Sequence, residues 1–247
     1  MSKKKHDLLS LSYLCKKKSK TYYMRNIAFT AIVLLGAGLA IYLGYKSKSE
    51  NKPLRYLPFY GNHEVKPSLS GDGADTIYKS IADFSFIDQK GNKVTQDNFK
   101  NSIYVADYFF CTCQSICPVM SKQMERVAEK FKDDDEIKFI SHTVNPEYDS
   151  VNVLADYAKA HNAVYGKWYL VTGNKKDLYD LARDSYMLDA SEGDGGEEDF
   201  IHTQNFALID KERHIRGYYD GTNPKEIDQL INDIGLLKKE YAQKAKN

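Results

Sequence analysis

The first strong signal along the chain is an uncharged apolar run from Ile27 to Tyr45, set between polar and basic stretches. As a helix rising 1.5 Å per residue it would span about 28 Å, which matches the hydrocarbon thickness of a bilayer. Tyr22 and Tyr23 lie at one end and Tyr42 and Tyr45 at the other, where interfacial aromatic belts sit. The pattern predicts one N-terminal transmembrane helix over residues 27–45. Residues 46–75 then turn polar around Pro53, Pro58 and Pro67, and read as a linker without a packed element.

From Ile81 the pattern changes. IADFSFIDQKGNKVTQ reads as two short strands joined at Lys90-Gly91-Asn92. Residues 103–110, IYVADYFF, are almost continuously apolar, as in a strand covered on both faces. A helix is predicted from Pro118, with Met120, Met124, Val127, Ala128 and Phe131 on one face. The strand IKFISHTV (137–144) ends at Asn145-Pro146, and Val151, Leu154, Tyr157, Ala158 and His161 mark the next helix face. WYLVTG (168–173) reads as a strand, KKDLYDLARDSYML as a helix, and Asp189 to Asp199 as an acidic, glycine-rich surface loop. NFALIDKERHIRGYYDG gives two strands around Lys211-Glu212, and a last helix runs from Pro224 to Leu237. Strands alternating with helices and closing on a hairpin predict an α/β fold, a thioredoxin-like central sheet flanked by helices with an N-terminal β-hairpin addition. The expected organisation is a basic tail (1–26), a membrane helix (27–45), a linker (46–75), a folded domain (76–238) and a frayed C-terminal tail (239–247).

The charge pattern sets the topology. Lys3, Lys4, Lys5, Lys16, Lys17, Lys18, Lys20 and Arg25 precede the apolar run, whereas only Lys46, Lys48 and Lys52 follow closely. The positive-inside bias keeps the short tail in the cytoplasm and sends the remainder across. A cleaved signal peptide would have an apolar region of about 7–15 residues and a small-residue cleavage site, and YLGYKSKSE is a poor one. The basic tail is Lys-rich without an Arg-rich amphipathic pattern, so it does not read as an organellar transit peptide. The expected location is therefore a bacterial cytoplasmic membrane, single-pass, with the folded domain on the periplasmic side. The overall formal charge is only +1, which argues against a nucleic-acid binder.

Candidate chemistry centres on four cysteines, Cys15, Cys111, Cys113 and Cys117. Cys15 falls in the cytoplasmic tail and reads as a free thiol. The other three lie within seven residues, a clustering that points to redox or metal chemistry rather than to a spread disulfide framework. Cys113-Gln-Ser-Ile-Cys117-Pro118 follows the buried strand and opens a helix. Pro118 suits the first helical position and places Cys117 at the N-cap, where the helix dipole would favour its thiolate. Three intervening residues splay the sulfurs more than the usual two-residue dithiol motif. Two thiolates can close a disulfide or share a soft ion such as Cu(I) or Zn, with imidazole the common third ligand.

The strand–Cys-x-x-x-Cys-Pro–helix pattern, TVNPEYDS (143–150), LADYA (154–158), WYLVTG and IHTQNFALID (201–210) together resemble the Sco/SenC family, over about residues 75–237. The resemblance implies one copper ion per chain held by Cys113, Cys117 and His202. It implies a copper chaperone for the CuA centre of cytochrome c oxidase, with the oxidase copper-binding subunit and a thioredoxin-like reductant as partners. It also implies an alternative, a thiol–disulfide oxidoreductase that reduces the apo-oxidase cysteines through a redox-active Cys113–Cys117 pair. Two positions depart from the family pattern: Asn145 and Ile201 stand where acids are usual, so an acidic group near the site would be absent or supplied by Asp199. His142, at a strand end, is the alternative ligand; Cys111 reads as a buried spectator, or as an alternative disulfide partner or ligand, and Met120 and Met124 as core. A peroxidase on the same fold would carry Thr or Ser where Gln114 stands.

Overall fold

The computed structural model describes residues 29–44, 55–67, 74–188, 201 and 203–245. The chain divides into two units, Met1–Leu54 and Arg55–Asn247. In the first, residues 29–44 form helix α1, all of it exposed. Residues 27–28 and 45 of the expected membrane span lie outside the described residues, and no helix among the described ones is long and apolar enough to cross a membrane.

The second unit is built on a seven-stranded sheet. Its strands are β3 (Ser85–Asp88), β4 (Lys93–Thr95), β5 (Ile103–Phe109), β6 (Ile137–Thr143), β7 (Trp168–Thr172), β8 (Asn205–Ile209) and β9 (Ile215–Asp220). They lie in the order β4-β3-β7-β6-β5-β8-β9, with β5, β6 and β7 parallel and the outer strands antiparallel. The helices are α2 (Cys117–Lys130), α3 (Val151–Ala160), α4 (Lys175–Asp180, continuing as a π-turn over Leu181–Ser185) and α5 (Pro224–Lys244). The expected central sheet with helices on both faces is what forms.

Every residue of β5 is buried, and side chains alternate between faces along a strand. Tyr104, Ala106 and Tyr108 enter one core with Phe84, Phe86, Ile140, Leu178 and Tyr186. Ile103, Val105 and Phe109 enter the other with Met120, Met124, Leu154, Trp168 and Leu230. Helix α4 covers the first face, and α2, α3 and α5 the second.

Three boundaries differ from those read in the sequence. Within 46–75, read as linker, β1 (His63–Pro67) pairs with β2 (Ala74–Tyr78), and Tyr60 bridges to Ile215. Leu57 is buried, its amide donates to Glu240 Oε1 (2.5 Å), and the Leu57 carbonyl accepts from Arg216 (2.7 Å). At the other end α5 continues past 238 to Lys244, because Glu240 is buried and ion-paired with Arg216 at 2.8 Å. Helix α2 begins at Cys117, with Pro118 in second position, so Ile116 and not Cys117 is the N-cap.

Candidate metal centre

Interior strand β5 ends at Phe109, and a turn follows in which the Cys113 amide donates to the Phe110 carbonyl at 3.3 Å. That turn places Cys113 Sγ over the open end of α2. It accepts the Cys117 amide at 3.5 Å and lies 3.5 Å from Ser115 Oγ. The Cys117 side chain points inward and is buried in the core with Met120 and Leu154. Cys111, Cys113 and Cys117 are all free thiols.

The thiols are unequal, and not in the sense the N-cap argument predicts. For Cys113 burial acts upward, but hydrogen bonds from Ser115 and the Cys117 amide outweigh it and bring the thiol down to about 7. Cys117 is pushed up to about 12, first by burial and then by neighbouring Cys113 and Asp107. Burial wins because the Cys117 side chain turns into the core while the sulfur one turn earlier takes the helix-terminal amide. Cys111 is also raised, by burial and by Asp149.

Two carboxylates that motif reading passed over shape this region. Asp107 shares its face of β5 with Val105 and Phe109, is buried, and accepts a 2.5 Å hydrogen bond from Ser141 Oγ. Ser141 Oγ in turn accepts from Trp168 Nε1 at 2.9 Å. Burial raises Asp107 to about 7 despite the serine. Asp149 is fully buried and accepts the Cys111 amide at 3.2 Å and the Thr143 hydroxyl. An acidic group, read from the sequence as absent or supplied by Asp199, is thus present in Asp107 and Asp149. Asp107 sits six positions before Cys113 in a strand whose other residues are apolar, a pattern that could have flagged it.

His142 does not join the thiols. Strand alternation turns it to the opposite face, where its ring stacks on Tyr108 (4.7 Å, 14°) and meets Phe84, Phe86 and Tyr186 edge-on. Burial lowers it to about 3, so it is a neutral core imidazole. Met120 and Met124 are fully buried packing residues, as expected. His202, Cys15 and Asp199 lie outside the described residues, and Ile201 beside His202 is buried. Asp210, Glu212 and His214 form a second group of metal-binding types, but Asp210 is already bonded to Arg216 and to the Glu212 and His214 amides.

Comparison with known proteins follows the same lines. The SCO1/SenC family model matches residues 74–237. The "SCO1 protein homolog" of Bacillus subtilis is 26% identical over 162 residues, covering 65% of this chain and 83% of the relative. Among solved structures, BsSco, described as a member of the Sco family of cytochrome c oxidase assembly proteins with a disulfide switch, is 26% identical. Its TM-score is 0.54, over 64% of this chain and 92% of that one. Copper-bound ScoI of Bradyrhizobium japonicum shares the fold at 19% identity and TM-score 0.52, over 64% of this chain and 99% of that one.

Proposed function

The chain belongs to the SCO1/SenC family, and on that footing we propose that it carries one copper ion and delivers it to the copper-binding subunit of cytochrome c oxidase. In this reading Cys113, Cys117 and His202 hold the cargo, residues 27–45 tether the domain to the cytoplasmic membrane, and the domain works on the periplasmic side. The observation that carries the proposal is Cys113 Sγ held at the open end of α2, directly over the Cys117 amide. Two sulfurs in that arrangement form a soft donor pair, which suits Cu(I). The donor set present therefore fits the metal that the copper-bound relative holds. One thiol titrating near 7 and one well above it mean that loading releases protons, so retention weakens as pH falls. A thioredoxin-like reductant would keep the pair in the dithiol form that binds metal.

The test is copper stoichiometry of the full chain in detergent, loaded under reducing conditions. Wild type and C111S are expected to hold one ion per chain, and C113S, C117S and H202A to lose it. A wild-type protein that holds no copper under these conditions would overturn the reading. The inequality of the two thiols also suits a thiol–disulfide oxidoreductase, with half-buried Cys113 as attacking sulfur and buried Cys117 as resolving sulfur. His202 separates the two: exchange with a small disulfide should survive H202A, whereas copper retention should not.

A further inference from the structure

Cys113 has two candidate partners, Cys117 four residues ahead and Cys111 two residues behind. Either could close a disulfide with it, and a metal site built on the wrong pair would lack its geometry. The two candidates are held differently. Cys117 is fixed by α2 and by core packing. The Cys111 main chain is held from across the fold by one buried carboxylate, that of Asp149, whose oxygens lie 3.2 and 3.4 Å from the Cys111 amide.

Asp149 is itself immobilised. It is fully buried, and its carboxylate accepts the Thr143 hydroxyl, while that hydroxyl oxygen accepts the Asn145 amide at 2.9 Å. Its own amide donates to the Asn145 carbonyl at 2.9 Å. The Val144 amide donates to the Phe109 carbonyl at 2.8 Å, so the β6–α3 loop and the end of β5 are locked side by side. Residues 112–116 lie between Cys111 and Cys117, and Cys113 is the sulfur they carry.

We propose that Asp149 is a positioning residue that makes Cys117, and not Cys111, the partner of Cys113. The proposal rests on the reading of Cys113 and Cys117 as the working pair. Holding the Cys111 amide keeps residues 111–113 in their turn, with the Cys113 sulfur carried forward to α2. Released from the carboxylate, the Cys111–Cys113 segment could fold back and pair within itself. The oxidation that reads this out is exchange with a small organic disulfide. The Cys113 thiolate attacks one sulfur of oxidised glutathione, forming a mixed disulfide and expelling one glutathione thiolate. The partner thiol then gives its proton to solvent and attacks Cys113 Sγ, expelling the second. Two protein thiols are oxidised and one glutathione disulfide is reduced to two thiols.

The experiment oxidises the reduced, copper-free full chain with oxidised glutathione, blocks remaining thiols, and maps disulfides by mass spectrometry of peptides. Wild type and C111S are expected to give the Cys113–Cys117 disulfide alone. Asp149→Asn keeps the shape but loses the charge, and should reduce the preference for Cys117 about tenfold, the effect of one charge-assisted hydrogen bond. Thr143→Val, which leaves the carboxylate in place and removes its partner, should shift pairing the same way by less. The double variant Asp149→Asn/Cys111→Ser should return to Cys113–Cys117 alone. The wild-type pattern in both Asp149→Asn and Thr143→Val would overturn the proposal. So would a double variant still unable to form the pair, since Asp149 would then merely support the loop. A wild type that forms no Cys113–Cys117 disulfide and holds no copper would instead sink the reading of the pair itself.

Discussion

Asp107→Asn is the substitution whose outcome follows most directly from the buried network behind the cysteines. Burial raises this carboxyl from its ordinary 3.8 to about 7 in the folded protein. A group whose folded value is the higher one holds its proton more tightly in the fold. Its contribution is complete below about pH 3.8 and is lost as pH rises through about 7. The span between these values, at 1.36 kcal/mol per pH unit, is about 4 kcal/mol. An asparagine keeps an oxygen for Ser141 Oγ but brings an amide N–H pair into a buried site, costing about 1–3 kcal/mol at every pH. The variant should therefore be less stable than wild type near pH 4, and the difference should reverse by pH 8. Trp168, the chain's one tryptophan, is buried and bonded to Ser141, so its fluorescence reports the same network in urea titrations. The two proteins should be compared reduced and metal-free across pH 4–8.5. A stability difference that stays constant over that range would refute the assignment of Asp107 as a proton-holding buried acid. Because Asp107 also raises Cys117, the variant should in addition make that thiol more acidic and faster to alkylate.

Other consequences follow from the same geometry. In a C111S background, which keeps the Cys117 thiol that also bonds Cys113, iodoacetamide modification of Cys113 read by peptide mass spectrometry should show a pH midpoint near 7, and S115A should move the midpoint upward; a midpoint at the ordinary 9.0 in both would remove the hydrogen bonds from the account. Arg216→Ala leaves Asp210 and Glu240 buried without their cation and frees the Leu57 and Pro58 carbonyls, so it should cost about 3–5 kcal/mol in urea unfolding. A loss below about 1 kcal/mol would mean that this cluster does not hold the 55–60 segment to the domain. Met124→Ala should cost about 2–5 kcal/mol and leave copper stoichiometry unchanged; loss of copper from the folded variant would make the thioether a ligand after all.

Period and adjacency carried much of this molecule in plain view. The apolar run 103–110, broken only by Asp107, supplies β5 (Ile103–Phe109), buried along its whole length, and Met120, Met124 and Val127 at helical spacing form the inner face of α2. Strand–helix alternation gave the layered sheet, and three cysteines within seven residues marked the candidate centre. Such features are local, because a strand's two-residue repeat and a helix's turn are written in neighbouring side chains.

What tertiary structure alone decided depends on partners far apart in the chain. The Arg216–Glu240 and Arg216–Leu57 bonds join residues 24 and 159 positions apart, which is why the domain begins earlier and ends later than composition indicated. His142 reads locally as an available imidazole at a strand end, yet strand parity sends it into a ring of Tyr108, Phe84, Phe86 and Tyr186 on the far face. The acidity of the thiols is decided in the same way. Helix position alone favours Cys117, but desolvation among residues drawn from α2 and α3 outweighs the dipole and leaves the lower value to Cys113. Solvent exclusion is a property of the assembled core, and no window of sequence contains it.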